Sequence, residues 1–364
     1  MPFGIVPGVT RSRLNLKASL RSISALVPLC CAVEAHAHVK WFAEHDVAKA
    51  PLPIGQVLTG TFIQCFLVSV VCVYLFVLID RYVYRQGYLV AFDRRLRRLD
   101  AFSIRVIRIS GSVFFISLWA WHVTFGTSFY LTPELKTTMA YVPWLQLVTA
   151  VCLLSRITTP IAGAGVFVLY GAAVHDYGAY HMIDYLVFLG LGYFFLVSNV
   201  QRGRWMISAF IVLYASTGLT LIWAAVEKFG YPQWAYPLLQ NNPGMLMGLE
   251  PQFFMVLSGF IEFTVAFVLL SAASVIGRLV ALVLQSIFVL AIFKFGVLDA
   301  IGHLMIIAIL FVLLVRGPTD ARSMLVLGDK AVWTEAYFVT GLYFLAFVTT
   351  LILYYGVHHL HYGV

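Results

Sequence analysis

Ten histidines are spread along the 364 residues, and imidazole is both the commonest metal ligand and the usual proton carrier near neutral pH. They are His36, His38, His45, His122, His175, His181, His303, His358, His359 and His361. Two of them stand at helical spacing from an acid. His181 precedes Asp184 by three residues, and His303 follows Asp299 by four. Such neighbours share a helix face. A carboxylate beside an imidazole raises its basicity and selects its tautomer, as in the surroundings of a metal or in a proton relay. The competing reading is that Asp184 and Asp299 only cap the helices they begin. Glu262 is a third kind of candidate. It lies about midway through an apolar stretch, where an ionised carboxylate costs roughly 2.5–3.5 kcal/mol and calls for a partner, a proton or water. Lys294, His122 and His303 are the partners the sequence offers.

His38 suggests metal chemistry of another kind. Residues 1–37 read as a secretory signal. Arg11, Arg13, Lys17 and Arg21 form a basic start, 22–33 an apolar core, and Ala35-His36-Ala37 a cleavage site. Cleavage after Ala37 would expose the amine and imidazole of His38 together and take the charge from +8 to +5. With a second histidine these make a nitrogen site suited to copper, which tops the affinity order of divalent ions. His45, His358, His359 and His361 are the predicted partners. The short start after Ala-His-Ala also looks like that of periplasmic copper-carrier proteins. The five cysteines form no C-x-x-C pair, so neither a disulfide framework nor a zinc knuckle is expected.

The elements that position these groups are apolar helices. The chain is 61% hydrophobic and 11% charged, against about 25% charged in soluble domains. That excludes an ordinary globular enzyme, a disordered chain and a nucleic-acid binder. The expected fold is all-α, a polytopic integral membrane protein with about ten spans. Their limits are 54–80, 109–130, 140–156, 158–176, 182–199, 206–228, 252–271, 274–295, 300–316 and 334–356. Arg81, Arg85, Arg94, Arg95, Arg97, Arg98, Arg105 and Arg108 place 81–108 in the cytoplasm by the positive-inside rule. Arg156, Arg202, Arg204, Arg278, Arg316 and Arg322 then fall on the same side. Both mature termini, and every histidine, fall on the outer side or in the outer half of a span. Leu89, Phe92, Leu96, Leu99 and Phe102 recur among arginines, the pattern of a basic amphipathic helix on an anionic leaflet. The alternative is a solvated basic linker.

The chain also reads as duplicated. Leu153-Leu154-Ser155 matches Leu269-Leu270-Ser271, a register that sets Gln146 opposite Glu262. Trp119 falls opposite Trp223. The expected organisation is a signal (1–37), an outer segment with the first span and basic helix (38–108), and four-helix repeats at 109–200 and 206–318. A last span with a His-rich tail (319–364) completes it. The second repeat resembles the DoxX-like membrane family. Glu227-Lys228-Phe229, Pro232, Gly259-Phe260-Ile261-Glu262, Gly277-Arg278, Phe295-Gly296 and Gly302-His303 carry the resemblance. It covers 207–318 well and 105–200 weakly. It implies a bacterial inner-membrane protein. Some members are subunits of thiosulfate–quinone oxidoreductases or partners of redox enzymes, so a quinone enters by resemblance. The two units and extra helices depart from the family pattern.

The functional expectation is an outward-facing metal site, copper first, with a redox or metal-handling role and a periplasmic metal or redox protein as partner. His38, His45, His358, His359 and His361 would bind the metal, with His181, Asp184, Asp299, His303 and Glu262 handling protons. The alternatives are a proton-coupled transporter and a non-catalytic accessory subunit of a redox complex.

Overall fold

Long apolar runs closed by polar caps and glycines dictate the elements. In the computed structural model the described residues are 39–41, 43, 45–200, 203–272, 274–317 and 331–363. The sequence-predicted signal, with His36 and His38, lies outside them. Helix α1 (Gly60–Arg85) starts at Thr59, whose hydroxyl accepts the Phe62 amide at 3.2 Å. A short α2 (Val90–Arg97) and a 3-10 turn (Asp100–Phe102) lead into α3 (Ser103–Phe125). After a two-stranded hairpin, β1 (Ser128–Phe129) and β2 (Lys136–Thr137), come α4 (Tyr141–Leu154), α5 (Thr159–Met182) and α6 (Leu186–Val197). Then follow α7 (Gly203–Gly230), α8 (Pro251–Ser271), α9 (Val275–Phe295), α10 (Val297–Arg316) and α11 (Val332–Tyr362). Glu250 caps α8 by accepting the amides of Gln252 and Phe253 at 3.0 and 2.8 Å, with Pro251 in the first turn.

Among the described residues, eight helical stretches are long and apolar enough to cross a membrane, against about ten expected from hydropathy. The difference has two sources. The stretch Thr159–Val197 folds back on itself as α5 and α6, and α4 has only 14 residues, roughly 21 Å of rise against a hydrocarbon core of about 30 Å. The α5–α6 hairpin closes tightly because Gly163 has no side chain. A Cβ there would stand 2.7 Å from Gly192 O and Leu196 N.

Helices α3 and α4, α5 and α6, α7 and α8, and α9 and α10 pack as neighbours. Helix α6 also lies along α7, and α10 along α3, so the two sets of four helices meet last helix to first. Helices α1 and α11 pack on each other, and α1 on α8. Helix α11 runs to Tyr362. His358, His359 and His361 therefore sit on its last turns and form no free tail.

One end of the helical body is an arginine rim. Carboxyl ends of helices carry unpaired carbonyls and partial negative charge, and guanidinium groups cover three of them. Arg108 donates to Leu153 O and Leu154 O at 2.8–3.1 Å. Arg278 donates to Leu314 O, Val315 O and Arg316 O at 2.8–3.1 Å. Arg81 donates to Ser271 O at 3.2 Å and pairs with Asp80 and Glu335.

Candidate metal centre

The opposite rim gathers the acids and imidazoles. Among the described residues, one group could hold a metal ion: His45, Glu134 and His181, each offering one ligand atom within 4.8 Å of the others. Each arrives on a different element. His45 lies in the segment that follows a 3-10 turn at Val39–Trp41. Glu134 lies in the loop of the β1–β2 hairpin, where Tyr130 N bonds Leu135 O and Leu135 N bonds Thr132 O. Gln146 of α4 anchors that loop by donating to Phe129 O and Tyr130 O at 2.6 and 3.1 Å. His181 lies beyond a break in α5 at Gly178, whose φ of +82° and ψ of 156° leave the helical region. A Cβ at Gly178 would stand 2.7 Å from His361 Nε2, so this turn favours glycine on two counts.

Both imidazoles present Nε2 to one oxygen. His45 Nε2 lies 3.0 Å, and His181 Nε2 2.5 Å, from Glu134 Oε1. His45 Nδ1 is 3.1 Å from Ala43 O, a carbonyl that only accepts, so Nδ1 carries the proton. In a neutral ring Nε2 is then a lone pair aimed at a carboxylate oxygen. Two electron-rich atoms at that distance require a cation or a proton between them. Glu134 Oε2 accepts a hydrogen bond from Tyr185, and His181 stacks against that ring at 6.2 Å. His181 Nδ1 and Thr132 Oγ1 are buried with no hydrogen-bond partner among the described residues.

Beside this group sits an ion cluster. Lys40 pairs with Asp184, and with Glu227 Oε2 at 2.7 Å. Burial alone would depress the Lys40 ammonium; Asp184, Glu227 and Glu134 outweigh it and hold its pKa well above the ordinary lysine value. Burial would raise the Glu134 carboxyl, but the Lys40 charge and the imidazoles of His181 and His45 beside it hold it well below the usual range. Asp184 and Glu227 both contact the Lys40 ammonium and Glu134 lies close by, so acidic side chains outnumber the one lysine in this enclosed region.

The predicted site residues within the described chain are distributed among five places. His45 and His181 join, with Glu134 between them. Asp184 turns away from His181 to Lys40, because α5 ends at Met182 and a 3-10 turn over Ile183–Tyr185 rotates it off the helix face. His303 Nδ1 lies 3.1 Å from Asp299 Oδ1 with i,i+4 spacing, its ring between Trp41 and Phe288. Glu262 pairs with Lys228 Nζ at 2.9 Å rather than with Lys294, His122 or His303. His122 bonds Ser128 Oγ at 2.8 Å. His358 donates to Val47 O at 3.1 Å and packs on Tyr180, His361 lies over Gly178, and His359 is exposed. Among the described residues the terminal histidines do not reach His45. Glu134 and Lys40 were missed. The available signal was an acid in the apolar loop Tyr130–Leu135 and a lysine between Val39 and Trp41.

Comparison with protein-family models, characterised proteins and solved structures finds no match to this chain.

Proposed function

We propose that this multi-pass membrane protein binds a divalent transition ion through His45, Glu134 and His181 and serves a redox or metal-handling role. The observation that carries the reading is His45, whose Nδ1–H donates to a backbone carbonyl while Nε2 faces a carboxylate. Metal-bound histidines are oriented in this way. The excess of acidic side chains over ammonium supports a bound cation. Two imidazoles and a carboxylate suit copper(II), which heads the affinity order, and zinc, which uses a two-histidine, one-glutamate set in hydrolytic enzymes. When bound, such an ion would supply Lewis acidity or, as copper, electron transfer. The chain's own residues hold it: Tyr185 fixes the second Glu134 oxygen, and Lys40 keeps that carboxylate ionised.

The reading includes orientation and architecture. The positive-inside rule puts the arginine rim in the cytoplasm and the metal rim outside, periplasmic if the membrane is a bacterial inner membrane. The DoxX-like resemblance of 207–318 and the matching helix pairs of the two four-helix sets support an internal duplication with ten segments. A transporter is the second reading, because protons carried by this group of imidazoles and acids would meet the same excess of acidic side chains.

Metal analysis and calorimetric titration of the purified full chain with Cu(II) and with Zn(II) test the proposal. One equivalent per chain is expected, with proton release on binding. His45→Ala, His181→Ala and Glu134→Gln should each abolish it. A metal-free protein that takes up neither ion overturns it. Proton flux in proteoliposomes that metal does not inhibit would favour transport.

A further inference from the structure

The arginine rim carries a second feature that the metal site does not use. Its acids are engaged. Asp80 pairs with Arg81, Asp100 with Arg316, Glu335 with Arg81 and Arg85, and Asp93 with both Arg97 and Arg278. Arg94, Arg95 and Arg98 on and just after α2, and Arg105 in α3, are exposed and make no ion pair among the described residues. The local surplus of positive charge is therefore uncompensated.

Helix α2 is held lengthwise along this rim. The Arg278 guanidinium that closes the carboxyl end of α10 also reaches Asp93 at 2.8 Å, and Arg316 at the same end reaches Asp100 at 3.1 Å. Both ends of the stretch 93–100 are thus pinned, one to the start of α9 and the other to the end of α10. The turn into α2 uses Gly87 at φ +64° and Leu89 at φ +63°, and the leucine is an uncommon occupant of the left-handed region. No residue of α2 is buried.

On a helical projection α2 shows three faces. Asp93 and Arg97 form the face toward Arg278. Phe92 and Leu96 form an apolar face, flanked in sequence by Leu89 and Leu99 just outside the helix, and Arg94 and Arg95, with the capping Arg98, form the third face. Leu89, Phe92 and Leu99 are 43–52% exposed. The first turns of α9, which carry the Arg278 that holds Asp93, expose Leu279, Leu282 and Val283. Exposed apolar side chains thus occur both on a membrane-spanning helix at this rim and on α2, where unpaired guanidinium groups stand beside them. That combination fits a bilayer boundary: the apolar face meets acyl chains while the arginines meet phosphates.

We propose that α2 docks on the anionic phospholipid leaflet at the arginine rim, with Arg94, Arg95 and Arg98 binding headgroup phosphates and Phe92 lying at the acyl boundary. Specificity comes from charge. A zwitterionic lipid satisfies the apolar face and leaves the arginines uncompensated.

The test places a bimane label on Phe92→Cys in a cysteine-free full chain, reconstituted in phosphatidylcholine discs with or without phosphatidylglycerol. Nitroxide-labelled phosphatidylglycerol should quench the label more strongly than nitroxide phosphatidylcholine. The preference should fall with added salt and weaken roughly fivefold per arginine lost in R94Q, R95Q and R98Q. Equal quenching by both lipids overturns the proposal. So does free access of aqueous iodide with little lipid quenching, which would mark a surface for a soluble acidic protein. Native mass spectrometry of the unmodified chain gives an independent reading: retained phosphatidylglycerol over phosphatidylcholine is expected, and equal retention overturns the proposal.

Discussion

At the arginine rim, each buried guanidinium meets a helix carboxyl end, and Arg81 and Arg278 also meet a carboxylate. Arg278 covers three carbonyls and still holds Asp93. At the histidine rim, one ammonium lies among three acidic side chains, and two imidazoles crowd one oxygen. The buried guanidinium groups of the first set are met by helix carbonyls. The second holds more acidic groups than ammonium, with orphaned atoms such as Asp184 Oδ1 and His181 Nδ1. Burying polar groups is costly in both places. Among its buried groups the second leaves a demand that a cation can meet. The arginines build the body, and the histidine rim is where chemistry is to be sought.

That contrast can be broken in graded steps. Lys40→Met should be the most damaging change at either rim. It leaves Asp184 and Glu227 buried without their cation, and removing one partner of a buried pair costs about 3–5 kcal/mol. Thermal unfolding in detergent should show it, and a wild-type melting curve would refute the cluster. Arg278→Gln should come next. It uncovers the α10 carbonyls and frees Asp93, at about 1.5–3 kcal/mol for hydrogen bonds from a charged group. This loss should be insensitive to metal. Losses that Cu(II) or Zn(II) partly restores are expected only at the other rim.

The pH response sharpens the comparison further. Glu134 has a folded pKa below its unfolded value, so its contribution is present above the unfolded carboxylate range. It is lost as pH falls through the depressed folded value. Lys40, raised, contributes below the unfolded lysine range and loses that contribution only as pH rises through its higher folded value. Stability from this pair should therefore be flat through neutrality and fall in strong acid, and Glu134→Gln should remove the acid limb attributable to that carboxyl. Melting temperatures measured from about pH 8 to about pH 3 would show it. The smallest effect belongs to Arg97→Gln. It breaks an exposed i,i+4 pair with Asp93 and should cost no more than about 0.5 kcal/mol.

Much of the scaffold was legible in the residues. Apolar runs of span length gave an all-α membrane protein, and the helices that pack at each rim follow from those runs. The site was less legible, for local reasons. His181 and Asp184 stand at helical spacing, but Gly178 and the 3-10 turn separate their directions, and spacing alone does not reveal a helix that stops between two residues. Asp299 and His303 keep their pairing because α10 runs unbroken through both. Glu134 sits in a loop, where periodicity says nothing about facing. Lys228 lies near the end of α7, and only the packing of α7 on α8 brings it within 2.9 Å of Glu262.

The 3-10 turn at Val39–Trp41 has one more consequence. Lys40 neutralises acids at the start of α6 and the end of α7, while Trp41 fills the space above Gly302 of α10, where any side chain would overlap its ring. Slipping this stretch by one residue would put an indole among carboxylates and an ammonium against aromatic rings. Its register is checked at two neighbouring positions by two different helix pairs, so the strand of chain that delivers His45 can thread only one way.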